Sequence, residues 1–111
     1  MKSILLEAIS EAEKSTLKIA NHGALIIIRN KIIARGHNKY SITLSPSSFS
    51  MHAEVVAINN ALTKVKKEDL RQAKLVVIRL TKEGCLSNSL PCKHCQDYIN
   101  KFNIKTVYYS C

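Results

Sequence analysis

Two short segments contain residues of the types that bind metal ions and move protons. His52 and Glu54 lie two residues apart, and Cys92 and Cys95 lie three apart in the segment PCKHC. Cysteines at this spacing share one face of a helix, so both sulfurs can reach one ion. A helix N-terminus favours the thiolate form that binds zinc. By itself, however, this spacing also occurs in redox pairs, in halves of structural zinc sites and by chance.

The segment His52-Ala53-Glu54 is less specific. A histidine that begins a helix can simply hydrogen-bond its own backbone. Residues two apart point to opposite sides of a regular helix, so His52 and Glu54 converge only where the first turn is irregular. The serine-rich loop just before them is consistent with that irregularity.

Taken together, the two segments indicate more specific chemistry. One histidine and two cysteines would provide three zinc ligands and leave the fourth position for water, as in catalytic zinc sites. Zinc lowers the pKa of its bound water toward neutral pH. Glu54 would then be the carboxylate that moves protons without binding the metal.

At these residues the chain resembles the cytidine/deoxycytidylate deaminase superfamily, whose signature is H-x-E followed by P-C-x-x-C. The resemblance covers about 22–109, because the segments HGALIIIRNKIIARGHN, MHAEVVAINNAL and PCKHCQDYINKFNIKTVYYS follow the family's order of elements. It implies a three-layer α-β-α sandwich around a mixed β-sheet. It also implies that His52, Cys92 and Cys95 hold Zn²⁺ and that Glu54 is the catalytic proton shuttle.

The same resemblance implies contacts with the substrate. Asn38 matches the family asparagine that hydrogen-bonds the sugar. The backbone of Ala53 would read the edge of the base, and the Leu90 carbonyl would accept a hydrogen bond from the leaving amine. His22 is a further candidate, because residues at the start of the first strand often line the base pocket. Leu90 stands where the family often has a small or acidic residue, and family members commonly continue past the position of Cys111.

The elements that must position these residues alternate along the chain. Hydrophobic spacing predicts helices over 3–20, 52–66 and 91–102, and strands over 24–28, 32–35, 74–80 and 105–109. A turn at 29–31 predicts a hairpin, and 45–48 predicts a loop. The expected buried faces are Leu5, Ile9, Ala12 and Ile19 in the first helix, Val55, Ile58, Leu62 and Val65 in the second, and Tyr98, Ile99 and Phe102 in the third. This order predicts an α/β fold.

Size and composition predict one globular domain over 1–111. The chain has 111 residues, of which 46% are hydrophobic, and a domain of this size can bury a core without disulfides. No apolar run approaches the roughly 20 residues of a membrane span, and the N-terminal segment does not resemble a signal peptide. We therefore expect a cytoplasmic protein with no membrane partner, whose four cysteines are thiols or metal ligands.

The charge of the chain favours anionic partners. Lysine and arginine number 17 against 8 acidic residues, which gives a net charge of +9. A nucleotide phosphate, RNA or single-stranded DNA would suit that charge, although a solvated basic surface accounts for it equally well. The helical faces left over after core packing suggest a homo-oligomer.

Three functions follow as hypotheses. The first is hydrolytic deamination of a small-molecule cytosine nucleoside or nucleotide, such as cytidine or deoxycytidylate. The second is editing of a base in tRNA or single-stranded DNA; such enzymes usually add aromatic stacking residues, whereas aromatic residues here are 5%. The third is a non-catalytic zinc-stabilised module that binds nucleic acid or a partner. A closed zinc site that adds Cys85 to the three predicted ligands would leave Glu54 without a role.

Overall fold

The computed structural model describes residues 2–14, 21–40, 50–81, 85–89 and 93–110. The helices are α1 (Lys2–Glu13), α2 (Ala53–Ala61) and α3 (Lys93–Lys101), and a 3-10 helix spans Lys67–Gln72. The strands are β1 (Asn21–Ile28), β2 (Lys31–His37), β3 (Lys39–Tyr40), β4 (Ser50–Met51), β5 (Lys74–Leu80), β6 (Leu86–Ser87) and β7 (Thr106–Tyr109). In the described part of the chain, none of the helices is long and apolar enough to cross a membrane.

The main sheet is mixed, as the sequence predicts. Strand β1 pairs antiparallel with β2 on one side and with β5 on the other. Strand β7 runs parallel to the first half of β5, and β6 pairs antiparallel with its end. The short strands β3 and β4 form a separate pair. The alternation of helices and strands thus produces the expected α/β fold.

The predicted hairpin joins β1 to β2 through a two-residue turn. Arg29 and Asn30 have φ angles of 52° and 65°. Two consecutive positive φ angles are typical of a type I′ turn, whose twist matches that of the flanking strands. The turn joins the two strands, and a shift of register between Ile26 and Ile27 brings Gly23 of β1 opposite His37 of β2.

The sheet separates two layers of helix. Side chains alternate between the faces of a strand, so Leu25 and Ile27 of β1 pack toward Ala8 and Ala12 of α1. The opposite face of the sheet packs against α2 and α3 in a larger cluster, whose sheet members include Ala24, Ile26, Leu75 and Val77. The protein is thus a three-layer α-β-α sandwich.

Gly36 allows α2 to lie close to the sheet. A Cβ atom at Gly36 would lie 2.4 Å from the backbone nitrogen of Ala57 and 2.7 Å from the carbonyl oxygen of Ala53. Gly23 has the same relation to α1, where a Cβ atom would lie 2.5 Å from the backbone of Ala8 and Ala12. The two glycines let the helix backbones approach the central strands from opposite sides.

The first helix differs from its prediction in its buried face. Leu5 is 42% exposed, although the sequence pattern places it in the core. The fully buried positions are Ala8 and Ala12, because α1 lies so close to Gly23 that small side chains fill the contact. Ile9 is partly buried against the same cluster. The predicted residues 15–20, including Ile19, lie outside the described residues.

The second helix is shorter than the predicted 52–66. It ends at Ala61 with Leu62 as C-cap, and turns lead from there into the 3-10 helix. Leu70 of that 3-10 helix is fully buried, so the chain leaves the helical path to place Leu70 in the core. Ile58 is buried as predicted, whereas Val55, Leu62 and Val65 are only partly buried. Of the residues predicted to form the buried face of the third helix, Ile99 and Phe102 are buried and Tyr98 is partly buried, although Phe102 lies just after the end of α3.

Strands that the sequence did not predict are all two residues long, namely β3, β4 and β6. Such short pairs carry too little hydrophobic alternation to be recognised from sequence. The predicted loop over 45–48 lies outside the described residues.

Candidate active site

The site begins at the N-terminus of α2. His52 is the N-cap residue, with extended backbone angles of φ −74° and ψ 147°. Its carbonyl oxygen accepts the first helical hydrogen bond from the Val56 N–H, at 3.1 Å, while its side chain makes no capping hydrogen bond. The imidazole is therefore directed away from its own helix.

The imidazole of His52 meets the first turn of α3. Its Nδ1 atom lies 3.0 Å from the Sγ atom of Cys95. Cys95 is completely buried, and Glu54 is 4% exposed. One potential ligand atom from each of His52, Glu54 and Cys95 lies within 4.8 Å of the other two. Three residues from two helices thus form one compact polar cluster.

The chemistry of these donors fits zinc. An imidazole nitrogen and a thiolate are ligands that zinc prefers, and a tetrahedral site would place them about 3.5 Å apart. The 3.0 Å between His52 and Cys95 is close to that separation. Cys92 lies outside the described residues, so its expected role as the remaining ligand stays a prediction.

Glu54 lies in surroundings that favour its neutral form. Burial raises the pKa of the Glu54 carboxyl, and this outweighs its own backbone hydrogen bond, the nearby His52 and a hydrogen bond with Cys95, which lower it. A carboxyl whose pKa is raised toward neutral pH can both accept and donate protons. The environment of Glu54 therefore suits general acid–base chemistry.

Asn38 and His22 are locked together at one end of the sheet. The backbone N–H of His22 donates to Oδ1 of Asn38 at 2.9 Å, and the Asn38 N–H donates to the His22 carbonyl at 3.3 Å. Asn38 Nδ2 also lies 3.5 Å from His22 Nδ1. Asn38 is 6% exposed, so these contacts fix a buried polar side chain in one orientation.

The imidazole of His22 is held neutral. Burial, together with the positive charges of Arg79 and His52, lowers its pKa to about 4. Arg79 was missed by the sequence prediction, although an arginine inside the apolar strand KLVVIRL is unusual for a buried strand. His22 thus lies within electrostatic range of both His52 and Arg79.

Other candidate residues lie elsewhere. His37 Nδ1 is 2.8 Å from Glu11 Oε2 on the α1 side of the sheet. Cys85 is exposed and, among the described residues, does not join the cluster at His52. The structure therefore gives no support to a closed zinc site that includes Cys85. Leu90 lies outside the described residues.

The chain belongs to the family described as the cytidine and deoxycytidylate deaminase zinc-binding region, whose family model matches residues 1–111. The expected deaminase-like identity is thereby confirmed. A comparison with curated proteins finds no match.

Solved structures share the fold. Cytidine deaminase from Burkholderia pseudomallei is similar with a TM-score of 0.71 and 17% identity, over 97% of this chain and 80% of that one. The dCMP deaminase of cyanophage S-TIM5 has a TM-score of 0.63 and 20% identity, over 98% and 83%. Guanine deaminase from Bacillus subtilis has a TM-score of 0.66 and 26% identity, over 97% and 62%. The comparisons thus define the family of this chain, but they do not identify the nucleobase on which it would act.

A longer protein also contains this fold. A diaminohydroxyphosphoribosylaminopyrimidine deaminase/5-amino-6-(5-phosphoribosylamino)uracil reductase from Thermotoga maritima is 30% identical, with a TM-score of 0.66. The match covers 97% of this chain but only 28% of that one.

Proposed function

We propose that the protein is a zinc-dependent hydrolytic deaminase that converts a cytosine nucleoside or nucleotide to the uracil product and ammonia. The observation that supports it most directly is the buried carboxyl of Glu54 beside the His52–Cys95 pair. A purely structural zinc site needs no buried carboxyl with a raised pKa next to its ligands.

The proposed metal ligands are His52, Cys92 and Cys95. Zinc bound there would act as a Lewis acid that makes a water molecule reactive near neutral pH. His52 contributes from the N-cap of α2 and Cys95 from the first turn of α3. The partial positive charge of the α3 N-terminus would stabilise the Cys95 thiolate.

Glu54 is the residue proposed to move protons. Its carboxylate would take a proton from the attacking water and deliver it to the ring nitrogen of the base. The same carboxyl would then take the proton of the hydroxyl group added to the ring and pass it to the departing amine, which leaves as ammonia while the carbonyl of the product forms. Both transfers need a carboxyl that is held in place and shielded from bulk water, and Glu54 is 4% exposed.

The substrate contacts are proposed at the adjoining elements. Ala53 is the first residue of α2, so its N–H has no partner within the helix and is available to the base edge. Asn38 would contact the sugar from the end of β2, and His22 would line the pocket from the start of β1. The Leu90 carbonyl would accept a hydrogen bond from the leaving amine.

Replacement of Glu54 tests this function. Glu54→Gln should retain zinc, because it removes no metal ligand. It should lower kcat by about 10²- to 10⁴-fold on whichever substrate the wild-type protein deaminates, because it removes the proton shuttle. The substrates are cytidine, deoxycytidine, dCMP, guanosine, and a cytosine-containing oligonucleotide. Glu68→Gln, which changes an exposed glutamate of the 3-10 helix, is the matched control and should keep full activity.

Two results would contradict the proposal. Zinc bound at one equivalent with no turnover of any of these substrates would indicate a non-catalytic module. Turnover of the oligonucleotide alone, weakened steeply by salt, would indicate a nucleic-acid editing enzyme.

A further inference from the structure

His22 and Arg79 lie directly opposite each other on neighbouring strands. The antiparallel register of β1 and β5 pairs His22 with Arg79. Residues paired in this way project from the same face of the sheet, with Cβ atoms about 4.5–5.5 Å apart. The two side chains therefore form a neighbouring pair at one end of the central strands.

The face from which they project is the one that carries the candidate site. Side chains alternate along a strand, and Ala24 of β1 and Val77 of β5 pack in the cluster that faces α2 and α3. His22 and Arg79 are each two residues from these positions, so they share that face. The same helices carry His52 and Cys95. Arg79 thus lies on the same side of the sheet as the cluster of His52, Glu54 and Cys95.

The charge of Arg79 is unmatched in the described part of the structure. Its Nε atom is buried without a hydrogen-bond partner. The salt bridges among the described residues join other groups, namely Lys14 and His37 with Glu11, and Arg35 with Glu7. A partly buried cation without an anion is unfavourable, because it loses hydration and gains no partner.

The surroundings of Arg79 favour an incoming anion. The neighbouring imidazole is neutral at physiological pH, since burial and the charge of Arg79 lower the pKa of His22 to about 4. A neutral imidazole can donate a hydrogen bond to an anion without competing for it as a carboxylate would. An arginine presents its N–H groups as a rigid fork that matches the oxygens of a phosphate.

We infer that Arg79 is a specificity residue that binds the terminal phosphate of a nucleoside monophosphate in the candidate site. The inference rests on the proposed function, which leaves open whether the substrate is a nucleoside or a nucleotide. Arg79 is only partly exposed, and it lies on the sheet face that packs against α2 and α3. A polynucleotide needs an open basic groove with aromatic stacking platforms. The favoured substrate is therefore the mononucleotide.

The experiment compares a nucleotide with its nucleoside. For the wild-type protein, kcat/KM should be higher for dCMP than for deoxycytidine, and inorganic phosphate should compete with dCMP. Arg79→Gln should raise the KM for dCMP by about 10- to 100-fold, as expected for a charge-assisted contact, and leave deoxycytidine unchanged. Arg71→Gln removes the same charge from an exposed position and should change neither substrate. If guanine is the target base, GMP and guanosine replace the cytosine pair.

Arg79→Lys is the second variant, should Arg79→Gln fail to fold. It keeps the charge but loses the fork, so the KM for dCMP should rise less than in Arg79→Gln while deoxycytidine is unaffected. Equal loss on dCMP and deoxycytidine in either variant would overturn the inference. The inference would also be overturned if the wild-type protein had a higher kcat/KM for deoxycytidine than for dCMP. The same holds if it had a higher kcat/KM for the dinucleoside monophosphate d(TpC) than for dCMP and lost that preference in Arg79→Gln.

Calorimetry separates this inference from the proposed function. If no substrate is deaminated but dCMP binds and deoxycytidine does not, and Arg79→Gln abolishes that binding, the phosphate site is correct and the deaminase proposal is wrong. If deamination proceeds equally on dCMP and deoxycytidine, the deaminase proposal holds and the role of Arg79 is wrong.

Discussion

His52 and Cys95 are 43 residues apart in the sequence, yet His52 Nδ1 and Cys95 Sγ lie 3.0 Å apart. The contact arises because both helices pack on one face of the sheet, so that the N-cap of α2 meets the first turn of α3. The sulfur is fully buried, whereas the histidine is exposed. The pair therefore offers a metal ion one ligand on the solvent side and one in the interior.

Removal of a ligand should remove zinc. Cys95→Ser keeps the size of the side chain but loses the thiolate, and we expect zinc affinity to fall by more than about 100-fold, beyond the loss typical of outer-shell changes. The measurement is metal content after dialysis against a chelator. Cys85→Ser is the control, because Cys85 is exposed and should leave zinc content unchanged. Stoichiometric zinc in Cys95→Ser would contradict the proposed ligand set.

Loss of the Asn38 side chain should cost stability at the start of β1. Asn38→Ala leaves the His22 N–H without its acceptor in a buried region, which should lower the free energy of unfolding by about 1–3 kcal/mol. Urea denaturation measures the change. Asn60→Ala removes a side-chain hydrogen bond to the Arg35 carbonyl at an exposed position, so its cost should be smaller. If Asn38→Ala and Asn60→Ala lowered the free energy of unfolding equally, the buried Asn38–His22 contact would stabilise the fold no more than an exposed hydrogen bond does.

The close packing of α2 on Gly36 should link stability to activity. Gly36→Ala places a Cβ atom 2.4 Å from the Ala57 nitrogen, so α2 must shift, at a cost of about 1–3 kcal/mol or more. Because α2 carries Glu54, turnover of the folded variant should fall as well. Thermal unfolding and kcat at a temperature where the variant is folded are the two measurements.

Gly23→Ala serves as the control for Gly36→Ala. It creates the same clash against Ala8 and Ala12 of α1, which carries none of the proposed active-site residues. We expect comparable destabilisation with a smaller loss of kcat. A larger loss of kcat in Gly23→Ala would contradict the view that Gly36 positions the site.

The layers of the fold were predictable from sequence because they depend on hydrophobic periodicity. Strand β5 has the predicted bounds, and β1 and β2 form the predicted hairpin. The first helix was predicted less well, since periodicity marks Leu5 as apolar but does not show that Gly23 draws α1 too close for large side chains. Such close contacts depend on tertiary packing, which one sequence does not contain.

The sequence predicts that His52 and Glu54 can lie close together only if one of them is outside the regular part of the helix. Residues two apart cannot converge on a regular helix, and the structure satisfies this condition by placing His52 at the N-cap in extended conformation. Arg79 was not predicted, because its pairing with His22 depends on the register between β1 and β5. That register is a property of the folded sheet, and no local pattern specifies it.

Stability at acid pH should depend on Glu11, a buried residue that connects α1 to β2. Its Oε2 lies 2.8 Å from His37 Nδ1 and its Oε1 lies 3.2 Å from Lys14 Nζ. Burial alone would raise the pKa of Glu11, but the hydrogen bonds and charges of His37 and Lys14 outweigh it, so the pKa lies below its ordinary value of 4.5. The folded state therefore binds a proton on Glu11 less readily than the unfolded state.

The sign of the pH effect follows from that difference. The ionised carboxylate stabilises the fold above pH 4.5, the ordinary pKa, and this contribution is lost as the pH falls through the lowered pKa. Glu11→Gln should thus lower the free energy of unfolding by about 1–3 kcal/mol at pH 7. The difference from wild type should shrink as the pH falls from 4.5 through the lowered pKa, because the wild-type carboxyl becomes neutral over that range.

Urea denaturation from pH 7 to pH 3 tests this dependence. Glu7→Gln is the control: Glu7 pairs with Arg35, and both side chains are more exposed than Glu11, so its removal should cost about 0–1 kcal/mol. A Glu11→Gln deficit of the same size at every pH would mean that packing of the side chain, and not the charge of its carboxylate, ties α1 to β2.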